Sequence, residues 1–121
     1  MEMRLVIIES PYRGDDYKEL EKNIIYARAC MHDSLLRGDA PYASHLLYTQ
    51  EGVLDDSVPN ARELGISAGL AWGRCADVTV VYIDQGISTG MIRGIKHARD
   101  LNRPVEYRSL YGNPLPIEDP S

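Results

Sequence analysis

Four carboxylates in this chain follow apolar runs or sit in polar loops where they could work on a ligand: Glu9, Asp55, Asp56 and Asp84. A carboxyl pair can cleave a glycosidic bond, one group attacking or stabilising an oxocarbenium-like centre while the other moves the proton. Glu9 is the hardest to assign to solvation alone, because it ends the apolar run Leu5-Val-Ile-Ile8. Asp55 and Asp56 fit a solvated loop or a helix cap equally well. Asp84 could accept a hydrogen bond from a ribose hydroxyl. It opens a loop containing Gly86-Ile-Ser-Thr-Gly90, where glycines admit close backbone approach and the free N–H groups of a helix start can hold a phosphate. An ordinary strand-to-helix loop with Ser88 or Thr89 as N-cap gives the same pattern, and it is neither a Walker loop nor a dinucleotide fingerprint. His45 can donate to a phosphate, act as an acid or serve as a half-buried hydrogen-bonding residue. Arg13 and Arg93 are candidate anion contacts, whereas His32 and His97 fall inside helix-like segments and read as structural or exposed.

Hydrophobic periodicity supplies the elements that must position these groups. Residues 4–9 read as a buried strand, followed by the turn Ser10-Pro-Tyr-Arg-Gly14. A helix starts at Asp15 or Asp16, with Glu19 at capping-box spacing. Its apolar stripe is Tyr17, Leu20, Ile24, Ala27, Met31 and Leu35, and Gly38 is its C-terminal stop. Residues 40–47 give a shorter strand, and 48–59 a polar loop. Residues 60–75 form a second helix in which Gly65, Gly69 and Gly73 make a stripe suited to close packing against the sheet or a partner subunit. Trp72 on that helix reads as core or interface. Residues 77–83 are the clearest strand and the central one, 89–101 a third helix, and 104–108 a last strand. The order β-α-β-α-β-α-β implies an α/β fold, an open parallel sheet with helices on both faces. Ligands of such folds sit outside the carboxyl ends of the strands.

With 121 residues, 44% hydrophobic and 26% charged, the chain fits one domain with its own core. The net charge of −5 and the lack of a basic block exclude a duplex nucleic-acid partner on electrostatic grounds, although a small anion can still be held by one or two arginines. No apolar run approaches the ~20 residues of a membrane span, and residues 1–4 show no export signal, so a cytoplasmic protein is expected. Cys30 and Cys75 are expected to be reduced and buried. No spacing of Cys and His supports a metal site, and no cofactor is called for. The aromatics are eight tyrosines, one tryptophan and no phenylalanine, a bias that suits a wet cavity.

Several segments together resemble the nucleoside 2-deoxyribosyltransferase-like superfamily, and most of all its small members common in phage and bacterial genomes. They are Ile7-Ile-Glu-Ser-Pro-Tyr-Arg-Gly14, Asn23 and Ala27, Ala40-Pro-Tyr-Ala-Ser-His45, Ala76-Asp77, Asp84-Gln-Gly-Ile-Ser-Thr-Gly-Met91 and Arg103-Pro-Val-Glu-Tyr-Arg108. The resemblance implies a flavodoxin-like sheet of four to five strands in a domain over residues 1–110, with 111–121 as an extended tail. It also implies a homo-oligomer and a nucleoside or nucleoside 5′-monophosphate as ligand. By the same resemblance, Ser10, Pro11, Tyr12, Arg13 and Gly14 face base and sugar, and Ser88, Thr89 and Gly90 hold sugar or phosphate. Met91, Gly86, Asp84 and His45 stand at the same crevice. Enzymes of the superfamily carry a nucleophilic glutamate early in the helix after this loop, and that position falls here on Gly94.

A cradle without its nucleophile points to binding of a nucleotide-derived ligand without turnover. By analogy with phage proteins that capture nucleotide immune signals, this could be an anti-defence sequestration role. The alternative is an N-glycosidase or deoxyribosyltransferase acting on nucleoside 5′-monophosphates through Glu9, Asp55 or Asp56. A third reading is a protein-interaction module, which a cavity filled by tyrosine side chains would favour.

Overall fold

The computed structural model describes residues 2–55 and 57–116. Their order is β1 (Leu5–Glu9), α1 (Tyr17–Leu36), β2 (Ala40–Tyr42), α2 (Ser44–Leu47), α3 (Ala61–Gly73), β3 (Val78–Tyr82), α4 (Thr89–Asp100) and β4 (Val105–Arg108). All pairings are parallel and the strand order is β2-β1-β3-β4, so the fold is the flavodoxin-like open sheet with four strands. Continuous β-branched runs make β1 and β3. Both faces of β3 are buried, its β-branched run Val78-Thr-Val-Val81 suiting a strand covered on both sides.

Alternation along the strands sends side chains to two different layers. Val6, Ile8, Val78, Val80 and Tyr82 pack with Tyr26 and Cys30 of α1. Val81 faces the other way, onto Met91 and Ile95 of α4. Each fully buried aliphatic side chain in these layers stabilises the fold by roughly 1.5–3 kcal/mol. On the α4 side, α3 docks on the short α2 while α4 leans on β3 and β4. The outer face of β1, carrying Ile7 and Glu9, therefore floors a groove between the two helices.

Several expectations change. Residues 40–47 are not one strand: β2 stops at Tyr42, and Ser44 and His45 lie on α2. The buried face of α1 is Asn23, Tyr26, Ala27, Cys30 and Ser34, while Tyr17 and Leu35 are exposed. Asp16 is the N-cap, as its spacing implies. Cys30 is buried but Cys75 is exposed, and Trp72 lies at the surface, outside the core. The glycine stripe serves packing within the chain: a Cβ at Gly69 would meet Ser44, and one at Gly73 would meet Ile7. No described helix is long and apolar enough to cross a membrane. Of the expected tail, residues 117–121 lie outside the described residues, and 111–116 form no helix or strand.

Candidate functional site

The groove holds a cavity of about 680 Å³ over the end of β1, between α3 and the start and cavity side of α4, within the range of small-molecule sites. Glu9 sits on its floor. In a parallel sheet with helices on both faces, a strand's last outward residue meets the helix above it, and here that helix presents Gly94. A Cβ at Gly94 would stand 2.8 Å from Glu9 Oε1 and closer still to Oε2 and Cδ. The Glu9 carboxyl thus fills the space where residue 94 would otherwise place a side chain.

Glu9 makes no hydrogen bond or ion pair with any described residue. Burial among apolar strands and helix backbone pushes its carboxyl up to about 8, against a weaker downward pull from the Arg103 guanidinium. Burying a carboxylate without hydrogen-bond donors costs enough that it keeps its proton instead. At neutral pH the group is mostly the neutral acid.

The wall opposite α4 is built by the turn after β1. Asn23 of α1 donates from Nδ2 to the carbonyls of Tyr12 (3.1 Å) and Arg13 (3.2 Å), which fixes that turn. Ser10 Oγ and His45 Nε2 share a hydrogen bond of 2.8 Å, and the Tyr12 ring meets the His45 ring edge-on. Burial drives the His45 imidazole down to about 4, so it is neutral near pH 7. Tyr42 and Tyr48 also line the cavity, but the tyrosines do not fill it.

At the start of α4, Ser88 is the N-cap: its Oγ accepts from Met91 N, while Met91 Sδ accepts from Ser88 N. A methionine sulfur thus takes the place of the glutamate in a capping box. Thr89 and Gly90 remain exposed at the cavity mouth.

Of the residues singled out by sequence, the structure brings together Glu9, Ser10, Tyr12, Arg13, His45, Ser88, Thr89, Gly90 and Met91, with Arg93 alongside. Pro11, Gly14, Asp84 and Gly86 do not line the cavity. Asp84 accepts from Tyr26, Ser109, the Leu110 and Tyr111 amides and Asn113. These donors hold its carboxyl well below the usual range against the opposing effect of burial. Its task is to tie down the chain after β4. Asp55 closes its own turn, accepting from Ser57 N and Oγ, and it does not line the cavity. Asp56 lies outside the described residues. Sequence reasoning missed Lys96, His97, Asp100 and Arg103, which extend the cavity down α4. Arg103 sits in the turn before Pro104 and β4, and nothing local in the sequence separates it from a surface arginine. Among the described residues no cluster of His, Cys, Asp or Glu is set to hold a metal ion.

A search of curated proteins finds no match. Among solved structures, the chain is similar to a 2-deoxyribosyltransferase from the psychrotolerant bacterium Bacillus psychrosaccharolyticus. The two share 19% identity with a TM-score of 0.63, over 93% of this chain and 77% of the other. At that identity the likeness establishes a common fold. Residues 4–108, from the strand that carries Glu9 to the last residue of β4, match the family described as "Domain of unknown function (DUF7768)", and the chain belongs to that family.

Proposed function

We propose that the crevice binds a nucleoside or nucleotide and that Glu9 cleaves its N-glycosidic bond. The observation that carries this reading is the Glu9 carboxyl lying against Gly94. The superfamily resemblance puts a nucleophilic glutamate at that helix position, and here a carboxyl reaches the same space from β1. In the ionised form, Glu9 attacks the anomeric carbon as the carbon–nitrogen bond to the base breaks. The base takes up a proton as it leaves, and water then cleaves the resulting ester. With a group titrating near 8, about a tenth is ionised at pH 7, so the rate rises with pH to a plateau above that value.

A second reading, capture of a nucleotide without turnover, is favoured by the isolation of Glu9. Asp55 and Asp84 are committed elsewhere, and Asp100 stands near the far end of α4. The deoxyribosyltransferase fold supports a nucleoside-type ligand under both readings. Assembly into a homo-oligomer through the exposed face of α3, which carries Leu64 and Trp72, is part of the same proposal.

The test is incubation of the protein with single nucleosides and nucleoside 5′-monophosphates, followed by chromatography of the filtrate before and after heat denaturation. Free base that disappears in Glu9→Gln supports cleavage. A ligand that vanishes and returns intact on denaturation means capture. Base release unchanged in Glu9→Gln refutes the role assigned to Glu9.

A further inference from the structure

The floor of the groove carries a buried cation that the reading above does not use. Arg103, which precedes β4, is only 8% exposed. Its Nε donates to Thr79 Oγ1 (2.9 Å) and its Nη1 to the carbonyl of Gly73 (2.6 Å). Both acceptors are neutral, and no described carboxylate lies within ion-pair distance. Nη2 donates to no described group, and the side chain lines the cavity. A guanidinium withdrawn from water normally has a carboxylate for company. This one is held rigidly by two neutral acceptors with one edge left over.

Its neighbours fit the same account. His97 lines the same cavity, and its Nε2 is buried without a hydrogen-bond partner among the described residues. Lys96 and Arg93 lie on the cavity side of α4, with Asp100 as the one acid on that stretch. The protein as a whole is acidic, at −5, so this collection of cations is local.

The site is also apart from the start of α4. Arg103 bonds Thr79, whose register partner is Ile7, and Glu9 lies two residues further along β1. Two strand residues span roughly 7 Å, so the guanidinium stands about one such step below Glu9, toward the amino ends of the strands.

We infer that Arg103, with His97 and Lys96, forms a phosphate subsite on the cavity floor, so that the ligand is a phosphorylated nucleoside with its phosphate directed away from the α4 N-terminus. The nucleoside part of this inference rests on the proposed function, and the phosphate part does not. Arg103 offers a planar edge with N–H donors, His97 an unused ring nitrogen, and Lys96 a mobile charge at the rim.

The experiment is titration of the full chain with inorganic phosphate, ribose 5-phosphate and ribose. It is followed by heteronuclear NMR, including the arginine Nε–H and histidine ring signals, and by calorimetry. The expected result is saturable binding of phosphate and ribose 5-phosphate, but not ribose, with shifts at Arg103 Nε–H, His97 and the Gly73 region. Arg103→Gln should weaken binding about tenfold or more. Because that variant also loses bonds to Thr79 and Gly73, Lys96→Met serves as the surface variant that keeps the fold, with an expected loss of a few fold. Shifts confined to residues 88–91 and untouched in both variants would place the anion at the helix start and overturn the inference. So would the absence of saturable binding in the millimolar range. Neither outcome depends on base release, so failure of the cleavage reading is scored separately.

Discussion

Gly94→Ala should separate the stability of this protein from its activity. The added Cβ would sit 2.8 Å from Glu9 Oε1 and nearer to the other carboxyl atoms, whereas ordinary contact begins at 3.4 Å. Something must give, and what gives is the end of a flexible side chain, so the fold survives. Alanine in place of glycine within α4 favours the helix by about 1 kcal/mol. Forcing Glu9 off its rotamer costs about 0.5–1.5 kcal/mol. The two offset each other, and the melting temperature should stay within about 4 °C of the parent. The carboxyl itself must move by about 1 Å or more, and a misplacement of that size costs about a hundredfold in rate. Thermal denaturation and base release on one preparation measure both quantities. A carboxyl-carbon NMR titration adds a readout independent of turnover: Glu9 pushed into cavity water should titrate below its parent value of about 8. Moving the carboxyl onto the helix, in Glu9→Ala/Gly94→Glu, should recover part of the lost rate. If Gly94→Ala keeps both the rate and the Glu9 titration of the parent, the reasoning that ties Glu9 to this position is wrong.

The other predictions concern stability. Between about pH 4.5 and 8 the unfolded chain releases the Glu9 proton that the folded chain retains, so stability should fall as pH rises through this window, by a few kcal/mol. His45 acts in the opposite sense: its folded value of about 4 lies below its ordinary 6.5, so its contribution is lost as pH falls between those values. The two windows overlap between about pH 4.5 and 6.5, where the opposing contributions offset each other, so urea denaturation should show a plateau there and a fall toward pH 8. Glu9→Gln should abolish that fall and uncover the His45 slope between about pH 4 and 6.5. Asp39 and Arg108 form a buried pair at 2.8 Å, with Ser34 Oγ also donating to Asp39. Asp39→Asn should cost up to about 3–5 kcal/mol in chemical denaturation, because it leaves the buried Arg108 guanidinium with only the more exposed Glu106 carboxylate, at 3.4 Å, as a charged partner. Asp84→Asn should speed amide exchange at Leu110 and Tyr111, which both donate to it, while leaving base release unchanged because Asp84 does not line the cavity.

The strands and long helices were legible because their signals are local. The β-branched runs of β1 and β3 admit little else, and the Asp16 and Ser88 caps mark two helix starts. The short α2 was illegible, since its N-cap Ala43 makes no side-chain cap, and Ala40-Pro-Tyr-Ala-Ser-His45 passes for a weak strand. The stripe on α1 misled because its buried face includes polar residues: Asn23 holds the turn after β1, and Ser34 supports Asp39. For the site, the turn at 10–13 and the loop at 88–91 were found from glycine, proline and hydroxyl clustering. The pairing of Ser10 with His45 spans 35 residues and has no sequence signature. Arg103 and His97 were hidden for a similar reason. One follows Asn102, whose left-handed backbone (φ 56°) turns the chain into β4, and the other looks like any helix-interior histidine. Only the groove shows that both face the same space.

Why that groove stays open follows from the glycines of α3. Gly65 lies against Leu54 and Tyr48, Gly69 against Ser44, and Gly73 against Ile7 with Arg103 beside it. These contacts seat α3 on α2 and bring its end down to Ile7, while α4 meets β1 at Glu9 through Gly94, so the groove runs between two helices that touch β1 at different residues. A structural role for Glu9 and Arg103 would have been met most cheaply by pairing them. They feel each other's charge, yet no ion pair joins them among the described residues. One is left as a neutral acid and the other as a cation on uncharged acceptors, and both arrangements cost stability relative to an apolar floor. Two unpaired groups one strand step apart, facing one cavity, fit a ligand that itself supplies the missing partner at each end.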